Sequence, residues 1–224
     1  MSLKHGSSEA FYLSLQDVDT LVDFAKKQDH EGNEDNRILF LKLAIVTIVT
    51  KFQVFVESIL SEFMFNIKTS NIKYNKVPIY MRLNSLKMQC QDYGLIKKLD
   101  NPEAYKKPLY KKVENYLAKL KKHYSSKSLG KEFSLKTKFP LGKTGKNDLI
   151  KLFMQFEGKN IFQNKKIDID KIDSLFLKRH LIIHQDRSDL LTEHDVLSDQ
   201  HYLKILAKHI DRYLEKKIEQ YKRG

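Results

Sequence analysis

The feature that most constrains the fold is an apolar run over residues 37–68, which contains neither glycine nor proline. Its centre, "AIVTIV", is rich in β-branched residues that favour strands, but the run is several times longer than an ordinary strand. No turn residue interrupts it. We therefore predict one long buried helix, with Glu57 lying within its apolar part.

The remainder of the chain also favours helices. Its 224 residues include only eight glycines and four prolines, and 31% of them are charged, which predicts long regular elements rather than a sheet. The expected fold class is all-α, a bundle of antiparallel long helices. Apolar spacing and capping signals predict further helices over 14–28, 78–99, 101 towards 123, 147–156, 168 or 170 to 185, and 198–221.

The predicted domain organisation has three parts. Residues 1–36 form a loose tail, over 1–10, followed by a short helix. Residues 37–224 form the main helical domain. Within it, residues 96–146 form a lysine-rich, partly irregular insertion with a short hairpin around Phe133–Phe139.

Cysteine usage and hydropathy disfavour several classes of protein. The single cysteine excludes an internal disulfide framework and a multi-cysteine zinc site. No apolar run next to a cleavage pattern marks a signal peptide. The most lipid-like stretch, Ile38–Thr50, is interrupted by Lys42 and is too short to span a bilayer. We expect a soluble cytoplasmic protein without a membrane partner.

The positive charge is uneven along the chain. The net charge is +13, and residues 96–151 alone contain sixteen lysines against five acidic residues. Several tyrosines lie in or just before this segment, and lysines with aromatic rings are typical of RNA or single-strand binding. The alternative interpretation is a solvated lysine-rich face with tyrosines packed beneath it.

The sequence "GKTGK" at Gly142–Lys146 does not predict a phosphate-binding loop. A Walker loop requires a glycine five positions before the "GKT", and Thr137 occupies that position. No predicted strand precedes it either. The stretch is better interpreted as the basic start of a helix.

Arg179 is the most unusual residue of the predicted helix that ends at residue 185, which we call the motif helix. At about 100° per residue, Arg179 falls in the middle of the apolar stripe of that helix. The stripe consists of Ile172, Leu175, Phe176, Ile182 and Ile183. Burying an unpartnered guanidinium costs roughly 3–5 kcal/mol, so an anion must meet it. That anion is either a carboxylate, with Glu57 as the candidate, or a bound phosphate.

Two histidines flank the same stripe. His180 and His184 fall beside each other on the helix. The angle around the helix axis between Arg179 and His184 is about 140°. The arginine and this histidine could converge where the helix frays near Gln185, or across a two-fold axis between two copies of the helix. Histidine transfers protons near neutral pH and arginine neutralises a pentavalent phosphate, which suits metal-free RNA cleavage. Alternatively, His184 is a C-terminal residue that interacts with the helix dipole.

The stretch "RHLIIH" (Arg179–His184) resembles the R-x4-H signature of the HEPN superfamily, in which His180 fits the position after the arginine. The flanking segments resemble the branch called RiboL-PSP-HEPN or MAE-like. One departure is Gln185, because many relatives have glycine or asparagine directly after the histidine. The segments that carry the resemblance are "FQVFVESIL", "GKNDLIKLFMQFEGKNIF" and "IDIDKIDSLFLKRHLIIHQD".

The resemblance implies a HEPN-type helical bundle and a metal-independent endoribonuclease that cleaves RNA by 2′-hydroxyl attack at a dimer groove. Arg179 and His184 would be the catalytic pair, His180 a supporting polar group, and Glu57 a residue that positions Arg179. It further implies a homodimer through the motif helix, no metal or other cofactor, and a role in toxin–antitoxin or anti-phage systems with a possible antitoxin partner. The expected RNA contacts are Lys178, Arg187, Lys143 and Lys146.

Two other functions stay open at this point. The chain is either a non-catalytic HEPN module that binds RNA or a protein partner through its basic segment, or a purely structural helical protein. In the structural interpretation, Arg179 forms a core ion pair with Glu57.

Overall fold

The regular structure is helical. The computed structural model describes residues 4–70, 72–89, 114–115, 118, 121, 129, 133–140, 145–163, 167–187 and 191–223, and no strand occurs among them. The all-α prediction is therefore confirmed. The helices are α1 (Gly6–Ser14), α2 (Gln16–His30), α3 (Glu34–Thr69), α4 (Ile79–Gln89), α5 (Lys146–Glu157), α6 (Asp170–Gln185) and α7 (Glu193–Arg223), with a short 3₁₀ turn at Tyr74–Lys76.

The long helix predicted over residues 37–68 is α3, which extends a few residues further at its N-terminus. The predicted bounds of α5 and α6 are correct to within two residues. Helix α4 begins next to Pro78 as predicted, and its predicted continuation beyond Gln89 lies outside the described residues. The helix predicted from 101 towards 123 also lies outside them, apart from 114–115, 118 and 121.

Residues 4–10 do not form the loose tail that was predicted. Glu62 accepts hydrogen bonds from the backbone N–H groups of Gly6 and Ser7, at 3.0 and 2.9 Å, and so satisfies the free donors at the N-terminus of α1. His5 is fully buried, and its Nδ1 lies 3.0 Å from Oδ1 of Asp211 on α7. These partners lie far along the chain, where local sequence spacing cannot reveal them.

The hairpin predicted around Phe133–Phe139 is also wrong, because residues 133–140 form a single segment without regular secondary structure. Side chains of neighbouring helices, rather than a second strand, form hydrogen bonds with the backbone of this segment. The side-chain amide of Gln155 accepts from the N–H of Lys136 at 2.9 Å and donates to its carbonyl at 2.7 Å. Further along, Gln53 donates to the carbonyl of Phe139 at 2.8 Å.

The chain divides into two compact units. Unit 1 comprises Met1–Glu62, Thr137–Leu152 and Asn160–Lys217, and unit 2 comprises Phe63–Lys136, Phe153–Lys159 and Ile218–Gly224. The prediction placed a boundary at residue 36, whereas α1, α2 and the first part of α3 share unit 1. Most of the predicted basic insertion, 96–146, lies outside the described residues.

Each unit has its own aromatic core. In unit 1 the rings of Phe11 and Phe55 lie 4.9 Å apart between centroids, and in unit 2 those of Phe63 and Phe156 lie 5.1 Å apart. Full burial of one such side chain stabilises the fold by about 1.5–3 kcal/mol. The core of unit 1 also includes Val18, Val22, Ile45, Ile48, Phe52, Leu203, Leu206 and Ile210.

Helix α3 is longer and more apolar than the lipid-like stretch considered in the sequence. Of the helices described, it alone is long and apolar enough to cross a bilayer, with a mean hydropathy of 1.9 over 18 residues. Length therefore does not exclude a membrane span, contrary to the sequence-based expectation. Part of this helix nevertheless packs in the protein core, because residues such as Ile48 and Phe52 are fully buried. The side chain of Gln53 donates a hydrogen bond to the backbone carbonyl of Phe139.

Candidate active site

The motif helix, α6, is held in unit 1 by its first two turns. Ile172, Leu175 and Phe176 are buried there. The ring of Phe139, from the 133–140 segment, lies 5.6 Å from the ring of Phe176. Gly145 also lies against the ring of Phe176, because a Cβ added to this glycine would be only 2.9 Å from Cδ1 of Phe176. The glycine that suggested a phosphate loop is thus required for close packing against the motif helix.

The apolar stripe of α6 is covered only in this first part. Ile182 is half-buried, and Ile183 is 43% exposed. Leu177, outside the stripe, is 46% exposed. Arg179 therefore lies where the predicted stripe emerges from the core. The C-terminal turns of the helix offer a mixed apolar and basic surface.

Arg179 has no anionic partner among the residues that the structure describes. Its Nε is buried without a hydrogen bond, and no carboxylate within the described ranges forms an ion pair with it. Arg179 as a whole is only half-buried, so its side chain keeps access to solvent. Such a group binds an incoming phosphate or carboxylate strongly, because its own charge is unneutralised and partly desolvated.

The two histidines of the motif lie together, as their spacing predicted. The imidazole rings of His180 and His184 have centroids 4.5 Å apart with an angle of 46° between their planes. His180 is half-buried and His184 is exposed. The exposed ring is accessible to a substrate, and the half-buried ring limits its orientation on one side.

The end of the motif helix explains the departure at Gln185. This residue is still helical, and the left-handed turn that glycine or asparagine favours falls one position later, at Asp186, with φ 52°. Lys42 of α3 donates to the carboxylate of Asp186 at 2.8 Å and to its carbonyl at 3.1 Å. Sequence reasoning missed both residues, although an aspartate in this position tolerates left-handed backbone better than most.

Glu57 does not position Arg179 through a direct contact, and the core ion pair of the purely structural interpretation does not form either. Its carboxylate accepts from the N–H of Phe139 and from Nζ of Lys138, each at 3.0 Å. Burial would raise the pKa of Glu57, but these bonds outweigh burial and the pKa is lowered. The carboxylate thus holds the segment that packs against Phe176.

Two of the expected RNA-contacting lysines are used inside the protein. Lys178 donates to Oδ2 of Asp199 at 2.8 Å, and that carboxylate is almost fully buried. Lys146 pairs through Nζ with Asp170, which raises the pKa of the lysine, and its N–H donates to Asp173 at 2.8 Å. Their charges neutralise acids of unit 1 and are not free for RNA.

The other two residues expected to contact RNA are Arg187 and Lys143. Arg187 is exposed, directly after the turn at Asp186, and its N–H donates to the carbonyl of Leu181 at 3.3 Å. Lys143 lies outside the described residues. The basic groups gathered at the end of α6 are therefore Arg179, His180, His184 and Arg187.

In a comparison with protein-family models, residues 11–216 match the family described as RiboL-PSP-HEPN. No curated protein matches the chain, and no solved structure does. The match covers most of the chain, including every helix from α2 to α6.

Proposed function

Because the chain belongs to the RiboL-PSP-HEPN family, we propose that it is a metal-independent endoribonuclease whose active site lies at the C-terminal turns of α6. Two copies of the chain would pair through this helix and form one shared groove. The observation that carries the proposal is the guanidinium of Arg179, with its Nε buried and unbonded, on the same C-terminal part of α6 as the two neighbouring histidine rings.

The chemistry follows from the side chains. The 2′-hydroxyl of a ribose attacks the neighbouring phosphorus, loses its proton, and leaves a 2′,3′-cyclic phosphate, while the departing 5′-oxygen gains a proton. His184 is the proton-transfer group, because it is exposed and histidine changes charge near neutral pH. Arg179 stabilises the extra negative charge on the phosphate oxygens in the transition state.

A second copy supplies what one helix cannot. Arg179 and His184 project about 140° apart around α6, so a single helix cannot direct both at one phosphate. Paired copies of α6 would bring the arginine of one towards the histidine of the other. The exposed Ile183, directly before His184, gives the pairing an apolar contact.

The remaining assignments follow from this site. His180 supports the orientation of His184, and Arg187 binds phosphates that flank the cleaved bond, together with Lys143 and other lysines of residues 96–146. A cytoplasmic toxin of a toxin–antitoxin or anti-phage system, restrained by an antitoxin protein, is the biological role that fits such an activity.

The test is RNA cleavage by the purified protein in EDTA between pH 6 and 8. Replacement of Arg179 or His184 by alanine should lower the rate by about two orders of magnitude or more, while the helical circular dichroism stays unchanged. His201→Ala, an exposed histidine on α7, is the matched control and should keep full activity. The products should carry 2′,3′-cyclic phosphate and 5′-hydroxyl ends. RNA that stays intact with the wild-type protein would exclude the proposal.

The second candidate is a non-catalytic HEPN module that binds RNA or a protein partner. The lysine-rich composition of residues 96–151 favours it, because the lysines other than Lys138 and Lys146, which pair with acids of the protein, can bind phosphates without any catalytic group. RNA binding should then weaken steeply with salt and be as strong in His184→Ala as in the wild type. Replacement of these lysines by glutamine should abolish it.

A further inference from the structure

We propose that Lys42 is a positioning residue of this site. Its ammonium holds the left-handed turn at Asp186 and thereby fixes the last turn of α6, on which His184 lies. The proposal rests on the ribonuclease function proposed above and identifies how the proton-transfer group of that site is held in place.

The contact between Lys42 and Asp186 differs from an ordinary surface ion pair. Nζ of Lys42 donates both to the carboxylate, at 2.8 Å, and to the backbone carbonyl, at 3.1 Å. The lysine side chain is only 16% exposed, whereas that of the aspartate is 91% exposed. Surface pairs usually contribute little because two mobile side chains must be ordered. Here the packed lysine stem is ordered already, so the bond restrains the aspartate.

The turn needs such a restraint. Asp186 is the one residue other than glycine with positive φ in the described part of the chain. Left-handed backbone is unfavourable for a residue with a Cβ, whereas glycine adopts it freely. Lys42 binds the carbonyl and the carboxylate together, which favours this backbone conformation over the extended one.

The turn is coupled to His184 through the backbone. The N–H of Arg187, the residue after the turn, donates to the carbonyl of Leu181 at 3.3 Å, which closes the end of the helix around the histidine. Relaxation of Asp186 would break this bond and allow the last turn to fray. His184 makes no side-chain hydrogen bond within the described residues, so its direction depends on that backbone and on the ring of His180.

Four variants test the proposal, with kcat and KM for RNA cleavage as the first measurement. Lys42→Met should lower kcat about tenfold and leave KM within about twofold, because a misplaced catalytic group slows chemistry more than binding. Asp186→Gly should be close to wild type, and Lys42→Met combined with Asp186→Gly should return to within about threefold of it. Lys42→Arg, which can still donate to both oxygens, should keep the activity.

Lys51→Met is the matched control. Lys51 is on the same helix, its side chain is 22% exposed, and it donates to Asp17 at 2.7 Å. Its partner lies on α2, so its replacement removes an equal charge and a similar ion pair away from the turn at Asp186. It should leave both kcat and KM unchanged.

The second measurement is independent of activity. The NMR signals of the His184 ring and of the amides at 184–187 should shift in Lys42→Met and return in the double variant. The proposal is overturned if Lys42→Met cleaves RNA like the wild type, or if Asp186→Gly fails to restore the double variant. In the latter case the lysine acts on RNA through its charge. If the wild-type protein cleaves no RNA, the ribonuclease proposal fails, and unchanged His184 signals in Lys42→Met would then overturn the positioning role separately.

Discussion

At the residue scale, a contribution to the stability of the fold does not explain why an arginine occupies position 179. Because its Nε is buried without a partner and no described carboxylate neutralises it, replacement by methionine of similar length removes an unfavourable burial. We predict that Arg179→Met leaves the free energy of unfolding unchanged or raises it by about 1 kcal/mol. Urea denaturation followed by circular dichroism measures this. A loss of about 3–5 kcal/mol would instead indicate a buried ion pair.

Lys178 provides the comparison for that experiment. It is adjacent in sequence and on the same helix, but it bonds the almost fully buried carboxylate of Asp199. Lys178→Met should lower the free energy of unfolding by about 1–2 kcal/mol, since the lysine is partly exposed and Lys171 lies 3.8 Å from the same carboxylate. Equal effects of the two variants would contradict the distinction drawn between these two cations.

The sequence was sufficient to predict some of these residues and not others. The helical spacing alone placed Arg179 on the apolar stripe and His180 beside His184, because both relations lie within one helix. It could not show that Glu57, Lys146 and Lys178 are bonded elsewhere. Their partners lie on other elements, from 21 to 82 residues away, and side chains of the same charge look alike until the fold brings acids to some of them.

At the element scale, the packing of α6 depends on a glycine. A Cβ on Gly145 would lie 2.9 Å from Cδ1 of the buried Phe176 ring, which is closer than real Cβ atoms approach. We predict that Gly145→Ala lowers the free energy of unfolding by about 1–3 kcal/mol through overpacking. The same measurement on Gly6→Ala, where a Cβ meets nothing within 4 Å, is the control. A phosphate-loop role for this glycine would instead leave stability unaffected.

The helix ends show why the sequence predicted the presence of the helices better than the residues at which they begin. The last helix was predicted from Ser198, but α7 begins at Glu193. The side chain of Thr192 accepts from the N–H of Asp195 at 3.2 Å, while the carboxylate of Asp195 bonds the N–H and hydroxyl of the threonine. This reciprocal cap is readable in "TEHD". The start of α1 had no such local signal, because Glu62 caps it from another helix.

At the scale of the whole molecule, Asp211 ties the start of the chain to its last helix. Its buried carboxylate accepts from Ser8 Oγ at 2.7 Å and from His5 N at 3.1 Å, beside the ring contact to His5. We predict that Asp211→Ala lowers the free energy of unfolding by about 2–4 kcal/mol at neutral pH, because buried donors lose their acceptor. Chemical denaturation at several pH values measures this.

The pH dependence of that loss has a definite sign. Burial would raise the pKa of Asp211, but the bonds from His5 and Ser8 outweigh burial and hold it below the ordinary value of 3.8. The carboxylate therefore stabilises the fold fully above pH 3.8, and the contribution is lost as the pH falls through the lower pKa of the folded state. The gap between wild type and variant should narrow in acid. A gap that widens there would contradict the assignment.

The proposed groove makes its own prediction for two copies of the chain. Ile183 is 43% exposed on the motif helix, next to His184. A carboxylate at this position would be buried between paired helices without a partner, which is costly. Ile183→Asp should therefore sediment as a monomer and lose RNA cleavage. Leu13→Asp, at a 64% exposed residue of α1, is the control and should change neither.

Mixing two inactive variants tests whether the arginine and the histidine act from different copies. A dimer of one Arg179→Ala chain with one His184→Ala chain keeps one guanidinium and one imidazole, and these lie on opposite helices. If the groove uses them in this way, mixed dimers should cleave RNA at a substantial fraction of the wild-type rate, although each variant alone is inactive. The measurement is the cleavage rate against mixing ratio, which should peak at equal amounts. A flat, inactive profile from chains that demonstrably exchange would place both catalytic groups on one chain. The arginine and the histidine of one chain would then have to converge where α6 frays near Gln185.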